Sequence, residues 1–314
     1  MLINLVPEFL ALLEAPDPLE AYHRYLDEHR AILSAYWHNY VLDLTSPHVD
    51  EVISRTLAAD RSDLRELLSE VDITVLASET ISRCEELYEI DSDVDTYLMV
   101  GVGGANAGEL VVDGRGVAFV CLEHFTGRAN PETYGLGLSP ELIPIWIAHE
   151  LAHAVRYTSP SSASEIAKLV AQTGGFYDYW ETGSNVTLIE LLVNEGLAIR
   201  ASSKSVPDRD PCDYLGYGRR QYRRLRELEA FLRSEVAKEF GLTGLGYRLR
   251  YLSGGVSPAS RMVGGKIIPQ RAGYYLGYRM VESLVAQRGI ARALRASAQE
   301  CLDADDLATK LHTA

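Results

Sequence analysis

The sequence predicts an α+β fold that is mostly helical and contains one small β-sheet. Apolar side chains recur at helical spacing in residues 1–90 and again in most of the chain after Pro140. Between these parts, residues 95–122 hold three short β-rich runs separated by glycines. With 314 residues, the chain can bury a large core.

We divide the chain at about residue 90. Residues 1–90 form a predicted N-terminal helical region, and residues 91–314 form a second domain, although the two could also be one continuous domain. The aromatic residues of segment 19–44 recur at helical spacing and favour a place in the core. The first residues, MLINLVPEFLALLEAPDP, predict an amphipathic helix and not a secretory signal, because they have no basic start and include two glutamates.

The β-rich runs are TYLMVGVG, GELVVDG and GVAFVCL. The residues DGRG at 113–116 predict a tight turn of a hairpin between the last two runs, so the sheet contains an antiparallel pair. The glycine-rich residues 101–108 lack the GxxxxGK pattern of a phosphate-binding loop. We interpret them as a tight loop.

The next predicted helix, at about 140–157, carries the sequence HELAH. His149 and His153 lie one turn apart on one helix face, so both imidazoles can bind one metal ion, with Glu150 beside it as a general base. The surrounding residues are apolar, and a metal ion would explain three polar groups turned towards a core. The alternative is two ordinary helix histidines.

A second helix, predicted at about 186–203, supplies a carboxylate. Glu195 lies on its apolar stripe, where an ionised group needs a counter-charge or a metal. Zinc in a catalytic site has three protein ligands and one open position, and Glu195 completes that set. Alternatively, Glu195 forms a salt bridge with an arginine, Arg156 or Arg200. Glu190 is predicted to be solvated, and the weaker rivals for the third ligand are Asp178 and Glu181.

The segment RAGYYLGY at 271–278 opens another helix. A zinc peptidase needs a donor to the oxyanion of its tetrahedral intermediate. We place Tyr274 first among the candidates, which are Tyr274, Tyr275, Tyr278 and Arg271. The alternative is that Gly273 and Gly277 let two helices touch and that the tyrosines pack at the edge of the core.

HELAHAVRY, TLIELLVNEGLA and RAGYYLGYRMVE together resemble the gluzincin zinc metallopeptidases, and most closely the uncharacterised bacterial YjaZ-like predicted Zn-dependent proteases. The spacing departs from better-known branches, because 41 residues lie between His153 and Glu195. The resemblance implies one zinc ion, a hydrolytic reaction and a zincin-like catalytic domain at 91–314. It also implies that an edge strand of the sheet, 97–102 or 117–122, pairs with an extended peptide.

The composition of the chain indicates which binding partners and which cellular compartment to expect. The net charge of −14 argues against nucleic acid and anionic membranes, and weakly favours cationic peptides. The four cysteines are scattered without CxxC spacing, which predicts free thiols in a reducing compartment. No apolar run is long enough for a membrane span, and we expect a cytoplasmic protein.

The predicted function is therefore that of a zinc-dependent peptidase that acts on peptides or proteins. Its water is activated by one Zn²⁺ held by His149, His153 and Glu195, and Glu150 is its general base. Two alternatives stay open, because HExxH does not fix the carbonyl attacked. They are a zinc-dependent hydrolase or transferase with a non-peptide substrate, and a non-catalytic metal-binding regulatory module.

Overall fold

The computed structural model describes residues 1–129, 133 and 137–313, with side chains up to residue 306. The chain is mostly helical and has one small mixed sheet, as the α+β prediction requires. In chain order the helices before residue 90 are α1 (Val6–Leu12), α2 (Pro18–Glu28), α3 (Arg30–Tyr40), α4 (Val49–Ala58), α5 (Ser62–Glu70) and α6 (Ile73–Tyr88). Those after it are α7 (Ile143–Thr158), α8 (Glu165–Gln172), α9 (Tyr179–Asn185), α10 (Leu188–Ser205), α11 (Pro211–Leu215), α12 (Arg219–Val236), α13 (Leu245–Leu252), α14 (Ala272–Met280), α15 (Glu282–Arg288), α16 (Ile290–Arg295) and α17 (Ala298–Thr313).

The sheet has four strands in the order β1-β2-β4-β3. Its strands are β1 (Leu2–Asn4), β2 (Val94–Met99), β3 (Ala107–Val112) and β4 (Arg115–Cys121), and a separate small hairpin joins β5 (Met262–Val263) to β6 (Lys266–Ile267). Strands β1, β2 and β4 are parallel, whereas β3 and β4 form an antiparallel hairpin. Asp113 and Gly114 have φ angles of 51° and 78°, the left-handed pair of a tight hairpin turn, which confirms the predicted turn.

The first residues of the chain do not all form the predicted amphipathic helix. Leu2–Asn4 is a strand, not the start of a helix, because its backbone pairs with Thr96 to Leu98 of β2. The first helix begins only at Val6, where Pro7 fits the first turn of a helix. A strand from the predicted N-terminal region thus lies in the same sheet as strands after residue 90, and the division at that residue stays a prediction.

Helix α7 lies between the sheet and the other helices. One side packs on β3 and β4, and the other on α6 and α10. Such a helix is apolar almost all round, which explains why it is buried from Ile143 to Tyr157 apart from Trp146. Polar groups on α7 therefore face other protein groups or a cavity.

Helices α10 and α14 cross at two glycines. A Cβ atom on Gly277 would lie 1.9 Å from the backbone oxygen of Leu192, and one on Gly196 would lie 2.2 Å from the backbone of Gly277. The two helices are therefore in direct backbone contact. The packing alternative for the glycines of segment 271–278 thus holds for Gly277.

The cysteines Cys84, Cys121, Cys212 and Cys301 are all buried free thiols, as predicted. Within the residues described, no helix has both the length and the apolar character needed to cross a membrane.

Gly277→Ala should lower the free energy of unfolding by about 1–3 kcal/mol, because the new methyl group must push α10 and α14 apart. Gly246→Ala is the matched control. Gly246 lies exposed in α13 with open space around it, so alanine there should raise stability by up to about 1 kcal/mol. Urea unfolding of both variants measures the difference, and equal stabilities would contradict the backbone contact.

Candidate metal centre

Helix α7 brings two imidazoles together. His149 and His153 are 4% and 2% exposed, and their Nε2 atoms lie 3.1 Å apart. Two neutral rings at this distance can share one proton, or both can turn lone pairs towards one cation. The pair has the one-turn spacing that the sequence predicts, and it is buried.

Helix α10 supplies the third group. Thr187 caps its start by accepting a hydrogen bond from the backbone N–H of Glu190, and Glu195 follows two turns into the helix. The Glu195 Oε2 atom lies 3.4 Å from His149 Nε2 and 3.5 Å from His153 Nε2. This buried oxygen has no hydrogen-bond partner. The three predicted ligand side chains are therefore brought to one point.

The spacing of these three atoms fits a small cation. Tetrahedral zinc, with bonds of about 2.0–2.1 Å to nitrogen and oxygen, separates its ligand atoms by about 3.3 Å. The observed separations are 3.1, 3.4 and 3.5 Å. Two nitrogens and one carboxylate oxygen are also a donor set that zinc accepts. The three residues therefore fit a metal ion.

The electrostatics around the three residues favour a positive charge beside the Glu195 carboxylate. Burial lowers the pKa of His149, although Glu195 acts to raise it. For His153, burial also acts to lower the pKa, but the carboxylates of Glu195, Glu109 and Glu150 outweigh it and raise the pKa to about 9. The pKa of Glu195 lies far below its usual range because the two histidines outweigh the effect of burial. One proton thus balances the carboxylate, and a bound metal would displace it.

A cavity of about 260 Å³ opens beside the three residues. Glu150, Tyr274 and Arg271 all line it, so the predicted base and two of the oxyanion candidates face the candidate metal site. Burial raises the pKa of Glu150 well above its usual value. A metal ion nearby would favour its ionised form.

The other two oxyanion candidates face elsewhere. The Tyr275 hydroxyl donates to Glu229 Oε2 at 2.5 Å, and the Tyr278 ring lies under the guanidinium of Arg200, 3.6 Å from its Cζ. Neither tyrosine lines the cavity. Among the four candidates, Tyr274 and Arg271 stay available to a substrate.

Several residues of the cavity escaped the sequence analysis. They are chiefly polar or aromatic side chains from distant elements, namely Tyr40, Asn106, Glu109, Trp146, Tyr179 and Arg248. Glu109 carried a signal, because a charged residue in the buried strand GELVV needs a partner. The sequence gives no such signal for Arg248, because α13 has the pattern of an ordinary half-exposed helix.

Glu109 anchors a network behind His153. It accepts hydrogen bonds from the hydroxyls of Tyr157 at 3.1 Å and Tyr40 at 3.0 Å. Asn194 donates to the Tyr157 hydroxyl at 2.9 Å, and the Tyr157 ring stacks on that of His153. Asn194, which lies next to Glu195, is therefore coupled to His153 through Tyr157 and does not touch the imidazole.

The arginines proposed as alternative partners of Glu195 bind other carboxylates. Arg156 pairs with Glu190 at 2.6 Å, and Arg200 pairs with Glu282 at 2.9 Å. The salt-bridge alternative for Glu195 is therefore wrong. So is the solvated reading of Glu190, which is fully buried because Arg156 on α7 comes within reach. Arg156 also donates to the carbonyls of Leu294 and Ala296, each at 2.8 Å.

The two rival carboxylates lie outside the cluster. Asp178 caps α9 and bonds the imidazole of His38 at 2.7 Å, and Glu181 bonds Asn185 at 2.7 Å. Both belong to the insertion between α7 and α10, and neither approaches His149 or His153.

The edge of the sheet beside the cavity is β3. Strands β2 and β4 are paired on both sides, so the edge predicted at 97–102 or 117–122 is wrong; β1 takes the place beside β2. Part of the outer side of β3 is already occupied. The Tyr40 hydroxyl bonds both the N–H and the C=O of Glu109, and the N–H of Tyr177 donates to the C=O of Val111 at 3.0 Å. The cavity reaches β3 at Ala107.

Part of the chain matches the model of a known protein family. The model of a family described as "Predicted Zn-dependent protease (DUF2268)" matches residues 176–303. This range includes Glu195, Arg271 and Tyr274 and begins after the HELAH sequence. It confirms the resemblance to predicted zinc proteases for that part of the chain. No curated protein and no solved structure matched the chain.

Metal-free protein should bind one Zn²⁺, and Glu195→Ala should weaken that binding by at least about 100-fold, because one of three protein ligands is lost. Glu181→Ala, which removes a rival carboxylate outside the cluster, should bind zinc like the wild type. Elemental mass spectrometry and competition with a chromogenic chelator measure stoichiometry and affinity. Equal zinc affinity in wild type and Glu195→Ala would remove Glu195 from the ligand set.

Proposed function

We propose that the protein is a zinc-dependent peptidase with a zincin-like catalytic domain. One observation carries the proposal. The side chains of His149, His153 and Glu195 converge within 3.5 Å of one another in a buried site, and the acid–base residue of the HExxH pattern lines the same cavity. In the proposed enzyme, these three residues hold one zinc ion.

Zinc bound there would supply a Lewis acid that lowers the pKa of a coordinated water and polarises a carbonyl group. Glu150 takes the proton from the attacking water and passes it to the departing amine. The network of Glu109, Tyr157 and Asn194 keeps the ring of His153 in place.

Tyr274 is the proposed donor to the oxyanion of the tetrahedral intermediate. Its hydroxyl keeps its proton, because burial and the charge of Glu195 hold the pKa of Tyr274 well above the usual value. The contact of α14 with α10 near Gly277 fixes the position of this phenol relative to Glu195. Hydrogen bonds that form only in the transition state raise kcat.

The substrate backbone would enter along the free part of β3. Residues 107, 109 and 111 are the alternate positions whose backbone groups point away from β4. The groups of Glu109 are taken by Tyr40, and those of Ala107 face the cavity. An extended peptide could therefore pair with β3 over a very short stretch.

The small cavity also favours a second candidate, a zinc-dependent hydrolase that acts on a small non-peptide carbonyl compound. A metal-binding regulatory module without activity is less well supported. A structural zinc site closes its fourth position, whereas the three candidate ligands here border an open cavity.

Glu150→Gln should keep its zinc and lose peptidase activity by at least about 100-fold, because an amide cannot accept the proton from water. Release of peptide fragments, followed by mass spectrometry on a library of short peptides, measures the activity. Glu181→Gln is the control for removing a carboxylate outside the cavity. Full activity of zinc-loaded Glu150→Gln would exclude Glu150 as the general base.

Tyr274→Phe should lower kcat by about 100- to 1,000-fold and leave zinc content and KM nearly unchanged, because the hydrogen bond to the oxyanion forms only in the transition state. Tyr275→Phe removes the same hydroxyl from the neighbouring residue, which faces Glu229, and should keep kcat within a few-fold. A similar loss of kcat in both variants would point to damaged packing of α14 in place of lost oxyanion binding.

A further inference from the structure

Two guanidinium groups line the cavity without a carboxylate partner. Within the described part of the chain, no carboxylate oxygen lies within 4.0 Å of Arg248 or Arg271. Arg156 and Arg200 have such a partner, in Glu190 and Glu282, whereas the buried Arg61 donates to the backbone carbonyl of Thr56. A buried cation without a counter-charge is costly, so these two positions need an explanation.

The position of Arg271 is fixed by contacts of both its backbone and its side chain. Its backbone has a φ angle of 55°, an uncommon conformation for a residue other than glycine, and its N–H donates to the carbonyl of Ser253 at 3.1 Å. The guanidinium lies against Gly216, where a Cβ atom would come within 3.2 Å of Nη1. Its Cζ atom is 4.3 Å from the centre of the Tyr274 ring. The side chain is thus fixed beside the proposed oxyanion donor.

Arg248 is fixed on another wall of the cavity. Its Cζ atom lies 3.5 Å from the centre of the Tyr179 ring, and its donors make long hydrogen bonds of 3.3 Å to the carbonyl of Tyr179 and to the hydroxyl of Tyr177. All of these partners are neutral. The insertion between α7 and α10 therefore contributes aromatic residues that hold a cation at the cavity.

The charges of the cavity favour an anion. Its lining includes three carboxylates, those of Glu109, Glu150 and Glu195, and the two guanidinium groups of Arg248 and Arg271. A divalent ion in the candidate site would leave a net charge of about +1, or more when Glu150 is protonated. With such an ion bound, this cavity would be positive on a chain whose net charge is −14. The overall charge, which weakly favours cationic peptides, therefore misleads about this cavity.

We propose that Arg271 and Arg248 bind a carboxylate group of the substrate, so that the enzyme acts on short peptides that present this group close to the scissile bond. Guanidinium groups bind carboxylates with strong, charge-assisted hydrogen bonds. Tyr40 and Tyr177 occupy outer backbone groups of β3, and the cavity has a volume of about 260 Å³. Both features limit the length of peptide that can lie beyond the metal site. The carboxylate comes either from the C-terminus of the peptide or from an aspartate or glutamate side chain. This inference rests on the proposed peptidase function.

The test uses four N-acetylated tetrapeptides and the full-length, zinc-loaded protein. Two have neutral side chains and end in a free acid or an amide, and two carry one glutamate and end in the same two ways. Rates of hydrolysis give kcat/KM for each peptide in the wild type, Arg271→Gln, Arg271→Lys and Arg248→Gln. Arg219→Gln is the matched control, because Arg219 is 88% exposed on α12, away from the cavity.

The wild type should prefer the carboxylate-bearing peptides by roughly 10- to 100-fold in kcat/KM, the size expected for a charge-assisted hydrogen bond. Arg271→Gln should lose most of this preference, Arg271→Lys should keep part of it, and Arg219→Gln should keep all of it. A preference for the free acid identifies the C-terminus as the source. A preference for glutamate in the amidated peptides identifies the side chain.

Calorimetric binding of the same peptides to zinc-loaded Glu150→Gln separates this inference from the proposed function. Binding that depends on the carboxylate and on Arg271, without hydrolysis of any peptide by the wild type, would contradict the peptidase and keep the carboxylate site. Equal kcat/KM and equal binding for all four peptides would overturn the inference. Thermal unfolding of each variant checks its fold, and an Arg271→Lys variant that is folded but shows no preference also counts against a charge-based role.

Discussion

The direct contact between α10 and α14 is the constraint on which the site depends. The helices meet at Gly196 and Gly277, where neither has a side chain, so their backbones touch. Glu195 precedes one of these glycines, and Tyr274 lies one turn before the other. The crossing therefore sets the distance between the buried carboxylate of Glu195 and the half-buried phenol of Tyr274. Helix α7, which also packs on α10, carries the two histidines, so all these groups are placed by helix packing and not by loops.

This arrangement buries three carboxylates, and each of them has a different kind of partner. Glu190 has an arginine, Glu109 has two tyrosine hydroxyls, and Glu195 has two imidazoles. The guanidinium of Arg156 balances the charge of Glu190, although Oε2 of Glu190 accepts no hydrogen bond, and the two hydroxyls hold the carboxylate of Glu109. The third cluster, at Glu195, leaves a carboxylate oxygen without a hydrogen bond and two ring nitrogens facing each other. Only the third cluster brings two ring nitrogens and a carboxylate oxygen together, which is why it fits a metal ion.

The sequence was informative where the signal is local. The one-turn spacing of His149 and His153, the position of Glu195 on an apolar stripe and the hairpin turn at 113–116 all follow from periods of a few residues. What it missed depends on partners far away in the chain. Tyr40 reaches β3 across 69 residues, and β1 joins a strand that follows more than 90 residues later. Glu190 is buried only because a helix 34 residues earlier brings an arginine to it. No periodic pattern records such pairings.

The buried arginine of α7 also bears on how the chain is made. Arg156 is fully buried, and two of its three hydrogen-bond acceptors are the carbonyls of Leu294 and Ala296, about 140 residues later. A ribosome that has synthesised HELAH, α10 and even α14 has not yet made these acceptors. Until they emerge, closing the core around α7 would trap a guanidinium with unsatisfied donors, at a cost of about 1–3 kcal/mol or more. The histidines and Glu195 therefore complete their packing only after residue 296 has been synthesised, so the candidate metal centre is assembled well after its own residues have been made.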